Sequence, residues 1–465
     1  MKTGLVGQSY QQRSLPFDAQ RTVNMYPVLD ETGKETAMLL GTPGLVEFGD
    51  VTIGTSRGGF VSANGRCFFV IAGALYEIYE DGTYTSRGGL NILSGNVTMA
   101  ENPTQLAICD GTYLYILTYS SNSFVEVSDA DLPSSGTVTF IDGYFVVNEN
   151  NSGRFFISAL NDGTTWAALD YATAESEPDS LKRVINAAGQ LWLLGETTSE
   201  IWTNTGASAF PFQRISGAVM QTGIMSPFTA RVIGNTLVWC GKDRQGRGIV
   251  YAAQGFTPQR ISNEAIEIKL QSVTNSEDLT SWVYQQDGHT FYVITGGDLE
   301  TTLCYDLTTK SWHERSHFED GNHTQHLGIC HVYAFGKHLL GSRVDSKIYE
   351  MSLDYYDDAG DEIARDRIFT HLSSEDKRIR YNSLIISMET GVGLQSGQGS
   401  DPLISLRLSK DGARTWSSWY TAQFGAVGKY KTKVGFNRLG IAEQMTFHTR
   451  ITDPVKVALI GGYLE

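Results

Sequence analysis

The side chains best placed by type to do chemistry are histidines. Six of the nine fall between positions 313 and 338: His313, His317, His323, His326, His331 and His338. Three imidazoles a few residues apart, such as His323, His326 and His331, are the raw material of a zinc site. No Cys or carboxylate completes a tight ligand pattern around them, and no His-Glu-x-x-His helix is present. On a strand, odd intervals send these rings to both faces. They are therefore expected to be ordinary loop, strand or interface histidines, with no metal and no cofactor. The paired carboxylates Asp357-Asp358 and Asp361-Glu362 have the composition of a general acid/base pair. They lie in a hydrophilic junction and are expected to form a solvated linker. The segment Asp243-Arg244-Gln245-Gly246-Arg247-Gly248 is a polar hairpin tip, not a strand-to-helix phosphate loop. No Gly-x-Ser-x-Gly elbow occurs. No catalytic residue is assigned, and the chain is expected not to be an enzyme.

The elements that must position these residues are strands and tight turns. Apolar runs meet at Asn64-Gly65, Asp110-Gly111, Asp142-Gly143, Ala188-Gly189, Gly234-Asn235, Asp287-Gly288 and Phe335-Gly336. Five of the six intervals lie between 46 and 53 residues; the interval from 110 to 142 is 32. Asn-Gly and Asp-Gly are favoured two-residue hairpin loops because both central residues take positive φ. Units of this length with four short strands each predict propeller blades, six or seven of them. The excursions between blades are placed at residues 172–181 and 261–279.

The fold class expected is all-β: a propeller over residues 51–360, an irregular N-terminal arm over 1–50, and a β-sandwich-like domain over 361–465. Ser14-Leu15-Pro16, Tyr26-Pro27 and Thr42-Pro43-Gly44 break any long element in the arm. After residue 361 the period is lost, and strands near 379–388, 403–409, 445–451 and 455–461 alternate as a sandwich would. Residues 390–400 are expected to be a mobile loop.

The chain has 465 residues and a net charge of -15. Residues 361–465 hold 14 Lys and Arg against 11 Asp and Glu, which leaves 22 against 40 for residues 1–360. The propeller region is thus acidic, and an acidic surface disfavours tight binding of a phosphate backbone. No apolar run approaches the ~18–20 residues that span a bilayer, and no signal core follows Met1. The five cysteines are odd in number and scattered through apolar runs, so buried thiols are expected rather than disulfides.

Ser409-Lys410-Asp411-Gly412-Ala413-Arg414-Thr415-Trp416 resembles the Asp-box turn of sialidases and other propellers, and residues 161–166 are a looser version. These are structural turns. The Phe-Arg-Ile-Pro motif that accompanies sialidase chemistry is absent. Tyr305 to Trp312 looks like the end of a kelch blade.

A second set of motifs does not repeat. Arg21-Thr22-Val23-Asn24-Met25-Tyr26-Pro27 is followed by Gly41-Thr42-Pro43-Gly44-Leu45, then by Arg154-Phe155-Phe156-Ile157-Ser158 and Trp166. Next come residues 169–179, Leu-Asp-Tyr-Ala-Thr-Ala-Glu-Ser-Glu-Pro-Asp, and Glu200-Ile201-Trp202-Thr203-Asn204-Thr205-Gly206 with Phe210-Pro211-Phe212. In this order they resemble the packaged-DNA stabilisation proteins of short-tailed bacteriophages, the tail hub or nozzle components. The resemblance implies a virion protein made in the host bacterial cytoplasm. It implies a ring of copies, usually six, below the portal and its adaptor. Such a ring extends and closes the channel, retains packaged DNA, and carries the needle or plug and the fibres or spikes. Double-stranded DNA would pass without sequence-specific binding. Asn24, Tyr26 and Pro27 are then candidates to latch the N-terminal arm. Asp170, Tyr171, Glu175 and Asp179 are candidates for a side contact, and Phe210, Pro211 and Phe212 for an apolar knob. The competing readings are a glycan-binding or glycan-cleaving propeller, as in a receptor-binding tail component, and a cellular kelch-type scaffold.

Overall fold

A computed structural model describes the chain except residues 1, 30–36, 175–177, 243–244, 247, 370–371 and 374–376. Seven antiparallel units of four strands follow one another among the described residues, the fifth with its innermost strand in two pieces, Gly223–Ile224 and Arg231–Ile233. Six are built from consecutive strands, within residues 56–89, 98–126, 135–173, 181–220, 223–260 and 279–319. The seventh takes three strands from residues 328–352, and its fourth is Gly44–Asp50 from the other end of the chain, antiparallel to Lys347–Ser352. Seven apolar cores lie between consecutive units. The last packs Phe69 and Ile71 of the first unit against Val332 and Leu339 of the seventh, so the ring closes. The innermost strand Ser56–Val61 fits between two neighbours because it carries glycines there. A Cβ on Gly58 would come 2.7 Å from Val97, and one on Gly59 would come 2.9 Å from Val332.

The turn chemistry behaves as expected at Asp142-Gly143, Ala188-Gly189, Asp287-Gly288 and Phe335-Gly336, where both residues have positive φ. Each joins the first and second strands of its unit. Asp110-Gly111 does not: it joins the second strand Gln105–Cys109 to the third, Leu114–Thr118. The equivalent turn of that unit is Asn102-Pro103-Thr104, closed by the Asn102 carboxamide oxygen accepting from the Thr104 and Gln105 amides at 2.8 and 2.7 Å. The irregular interval of 32 residues therefore arose from comparing turns on opposite faces of the ring. An Asx turn without glycine hid the correct one.

The excursion expected at residues 261–279 holds the helix Glu264–Gln271, capped by Asn263, whose side chain accepts from the Ile266 amide at 3.0 Å. Ile266 and Leu270 close the core between the fifth and sixth units.

The N-terminal 50 residues, expected to be irregular, instead supply strands to three different sheets. Ala19–Val23 inserts between Ser311–Glu319 of the sixth unit and Arg365–Ile368 of the C-terminal domain. Met25–Leu29 and Ala37–Gly41 form a hairpin on the sandwich sheet beside Ala458–Leu464. Gly44–Asp50 completes the seventh unit. The breakers seen in the sequence mark the corners between these strands. The two sandwich sheets enclose one core that includes Met25, Leu39, Leu384, Leu406, Phe447 and Leu459. Strands Ile379–Met388 and Leu403–Ser409 fall where alternation placed them.

All five cysteines are buried and free. The carboxylates read as a solvated linker form a short hairpin, Asp357–Asp358 against Asp361–Glu362. Asp358 is buried, because its strand pairs with Leu45 in the closing strand.

Candidate interaction site

Two buried carboxylates hold the propeller, the N-terminal strand and the sandwich together. Glu314, on the fourth strand of the sixth unit, receives Arg21 Nε and Nη2 at 3.0 and 2.8 Å and Lys269 Nζ at 2.8 Å. Thr301 Oγ1 donates to it at 2.7 Å and Ser9 Oγ at 3.2 Å. These two cations hold its carboxyl far below the usual range despite full burial. Asp366 receives Arg450 Nε at 2.8 Å and Nη2 at 2.6 Å, and contacts His323 Nε2 at 2.9 Å and His448 Nε2 at 3.0 Å. His323 belongs to the propeller; His448 and Arg450 belong to the sandwich. Arg407 donates to His448 Nδ1 at 2.9 Å, so Nε2 is the ring nitrogen left to face Asp366. Arg407 stacks between Trp416 and Trp419, and Arg450 between Trp419 and Phe318. Replacing Asp366 with Asn leaves Arg450 without a counter-ion in a buried site. The expected loss is ~3 kcal/mol or more, read by calorimetry as earlier melting of the sandwich. Asp320→Asn on an exposed turn should stay within about 0.5 kcal/mol.

Asn24 is part of this junction. It has φ of 54° and is buried. Its Nδ2 donates to the Ser316 and Ala364 carbonyls, each at 3.0 Å, while its Oδ1 accepts from the Ser316 amide at 2.8 Å. It ties the arm to both domains of its own chain. Tyr26 is 2% exposed and meets Phe291 and His289 edge-on at 5.2 Å; burial pushes its phenol up to about 12. Pro27 is buried in the hairpin with Ala37–Gly41.

The candidates for a side contact separate. Asp179 accepts from the Thr197 and Thr198 amides at 2.7 and 2.9 Å and is used as a turn cap. Glu175 lies outside the described residues. Asp170 and Tyr171 sit on the outer strand of the third unit, Asp162–Thr173, at 12 residues the longest strand among the described residues. Tyr171 stacks on Phe156 at 5.2 Å, with Arg154 over its ring at 5.3 Å. The neighbouring Leu169 is 85% exposed.

Phe212 is 3% exposed and does not project as a knob. Together with the half-buried Phe210 it packs toward Phe155 and Tyr144. The Pro211 carbonyl accepts from the Thr205 amide at 2.7 Å. Yet Tyr171 and Phe212 meet at one groove of about 720 Å³ between the outer edges of the third and fourth units, with Leu169, Trp202 and Arg214. Arg214 reaches Glu200 at 3.4 Å. An apolar floor, an exposed Leu on a strand edge and a cation at the rim have the composition of a protein contact surface.

The histidines occupy separate environments. His313 is buried between Tyr26 and Phe291. His317 lies 3.8 Å from Asp358, and His326 Nδ1 accepts from the Gly328 amide at 3.1 Å. His331 and His338 meet at 3.0 Å. Among the described residues, no group of three His, Cys, Asp or Glu is arranged to hold an ion. Asp411 caps its turn as the Asp-box pattern implies, accepting from the Arg414 and Thr415 amides at 3.1 and 2.9 Å.

Both faces of the propeller carry acidic turns. Among the described residues, the turns joining second and third strands all lie on one face, with Asp110, Glu196, Asp298, Glu300 and Asp345 against Arg343. The turns of the opposite face carry Glu80, Asp81, Asp142 and Asp287 against Arg66 and Lys310. The links between units on the first of these faces add Asp129, Asp131, Glu277 and Asp278.

Glu314 and Asp366 were not singled out from sequence. Their signal was a charged residue inside a strand flanked by buried neighbours, as in Trp312-His313-Glu314-Arg315-Ser316. Such a residue demands a partner, but the partners lie far along the chain, 293 positions from Glu314 to Arg21 and 84 from Asp366 to Arg450.

No curated protein matches the chain. Similar solved structures include the β-propeller domain of Myceliophteria thermophila Cps50 (Swd1), 10% identical over 66% of this chain and 99% of that one, TM-score 0.44. Another is the WD40 β-propeller domain of Doa1, 10% identical over 67% and 96%, TM-score 0.41. Residues 2–356 match the family described as Bacteriophage P22 Gp10, beta-propeller, and residues 365–465 match Bacteriophage P22 Gp10, beta-sandwich. Matched across both domains, the chain belongs to the family of Bacteriophage P22 Gp10.

Proposed function

We propose that this structural protein of a phage tail forms a ring, six copies in number, below the portal and its adaptor. The ring extends and closes the DNA channel, retains packaged DNA and carries the distal needle or plug and the fibres or spikes. The observation that carries this reading is the family match over both domains. On this reading the protein is a component of the virion with no catalytic role. Closure of a ring by rotation needs a head-to-tail contact between unlike surfaces. The groove at Leu169, Tyr171, Trp202 and Phe212 is the candidate for one half of that contact. The acidic turns suit a wall along which DNA slides, since carboxylates offer no counterion-releasing grip on phosphates.

The test adds purified protein to DNA-filled heads assembled without it, then scores copies bound and DNA retained after sedimentation. Stoichiometric binding with DNA held in is expected. Leu169→Asp, which places a charge on the exposed strand without touching a core, should reduce copies bound at least ~10-fold. No binding by the unaltered chain, with leakage unchanged, would overturn the reading and direct attention to glycan binding.

A further inference from the structure

Three arginines converge at one end of the propeller axis. Arg57 is the second residue of Ser56–Val61, Arg183 the third of Leu181–Ala187 and Arg231 the first of Arg231–Ile233. All three strands are innermost in their units; Arg231–Ile233 is the second piece of the fifth unit's innermost edge, after Gly223–Ile224. They line a cavity of about 270 Å³, together with Asn96, Thr98 and Thr280. None of the residues lining it is a carboxylate.

The hydrogen bonding of these arginines is incomplete. Arg57 donates through Nε to the Gly95 carbonyl at 2.6 Å and through Nη1 to Ala72 and Ile92 at 2.9 and 2.6 Å, but its buried Nη2 has no partner. Arg231 Nε donates to the Ser281 carbonyl at 2.7 Å. Arg183 is 6% exposed, and its buried Nε and Nη1 have no partner among the described residues. Burial first, and the charge of Arg231 second, push the Arg183 pKa down to about 9. A guanidinium stays charged at neutral pH all the same. Asp110 acts on Arg57, but no carboxylate acts on Arg183 or Arg231, and buried like charges with free donors and no counter-charge are costly. They persist where something supplies the missing negative charge.

We infer that the axial cavity is a binding site for a small tetrahedral oxyanion of the phosphate class, held by Arg183 and Arg231 with Arg57 Nη2 at its edge. Guanidinium forks match such oxygens geometrically. The occupant is a small ion, not DNA: a cavity of about 270 Å³ cannot admit a duplex, and the acidic turns on the same face repel a polyanion. The bound ion would tie the first, fourth and fifth units across the axis.

The test uses the full chain in chloride buffer at fixed ionic strength, with radiolabelled inorganic phosphate in equilibrium dialysis and thermal melting in parallel. Expected are saturation at about one phosphate per chain and a melting temperature that rises with phosphate but not with added chloride. Arg183→Met should weaken phosphate binding roughly 10- to 100-fold. In chloride it should melt no lower than the unaltered chain, because it removes an uncompensated charge. Should that variant not fold, Arg183→Lys keeps the charge, loses the fork and should also bind more weakly. A duplex oligonucleotide that fails to compete with phosphate supports a small-ion site, whereas full competition overturns it. Absence of saturable phosphate binding, or binding unchanged in the Arg183 variants, also overturns it.

Discussion

Replacing Glu314 with Gln is expected to cost the chain about 3–5 kcal/mol of stability. The carboxylate is fully buried and neutralises Arg21 and Lys269 at once. Arg21 rides on the inserted N-terminal strand and Lys269 on the helix between the fifth and sixth units. Gln has nearly the same shape but no charge, so Lys269 loses its counter-ion and Arg21 keeps only the exposed Glu300 at 3.8 Å, while the packing is kept. Denaturant unfolding would read the loss, with the melt broadened or split if the N-terminal strand detaches first. Adding Arg21→Met to Glu314→Gln should recover part of the loss, since removing both members of a buried pair costs less than removing one. Equal stability of the single variant and the unaltered chain would show that Glu314 does not hold this junction.

Lowering the pH from 7 to 4 is expected to weaken the fold by several kcal/mol, mainly through buried histidines. Burial pushes His313 down to about 4 and His326 and His331 to about 3, from an ordinary value of 6.5. The folded chain keeps these rings neutral, while the unfolded chain takes up protons below 6.5. Their stability is therefore fully present above 6.5 and is lost as pH falls toward 4 and then 3. Each histidine costs about 1.4 kcal/mol per pH unit within that window. Glu314 and Asp366, both depressed, add losses only below their ordinary values of 4.5 and 3.8. His317 acts in the opposite sense. The Asp358 carboxylate 3.8 Å away raises its pKa, so its contribution is fully present below 6.5 and is lost only as pH rises above that value; the raised Asp358 adds stability as the pH falls further. Melting temperature measured from pH 8 to 4 should hold level and then fall below 6.5. His326→Gln should make that slope shallower by one proton. A flat profile from pH 7 to 5 would mean that these rings protonate without leaving the fold.

Much of the propeller was legible because its signals are local. A hairpin turn with two positive φ angles leaves Gly, Asn or Asp in the sequence, and a strand with a core on both faces leaves an apolar run such as Cys67-Phe68-Phe69-Val70-Ile71. The second unit was misaligned for an equally local reason, since its first turn is an Asn102 Asx turn while its second happens to be Asp-Gly. The candidate site was legible only in pieces. Tyr171 and Phe212 were singled out and do share a groove, but Phe212 forms part of its buried lining rather than a knob. Sequence order shows that an aromatic is present, not whether a neighbouring blade covers it. The arginines of the axis were missed because each is a single charge at the start of an ordinary strand.

Local residue patterns set the strand-and-turn period and the change of pattern near residue 361, and composition set the acidic balance of the first 360 residues. The family rested on the resemblance of the ordered, non-repeating motifs. How the ring closes, with Gly44–Asp50 beside Lys347–Ser352, and how Ala19–Val23 joins the propeller sheet to the sandwich came from the three-dimensional fold. It alone brought Arg57, Arg183 and Arg231 to one cavity and gave Glu314 and Asp366 their cations. Pairings across some 50 to 300 residues leave no local mark. A strand's edge hydrogen bonds are the same backbone groups whatever its sequence, so its partner is chosen by closure of the whole ring and by the burial of charges that have nowhere else to go.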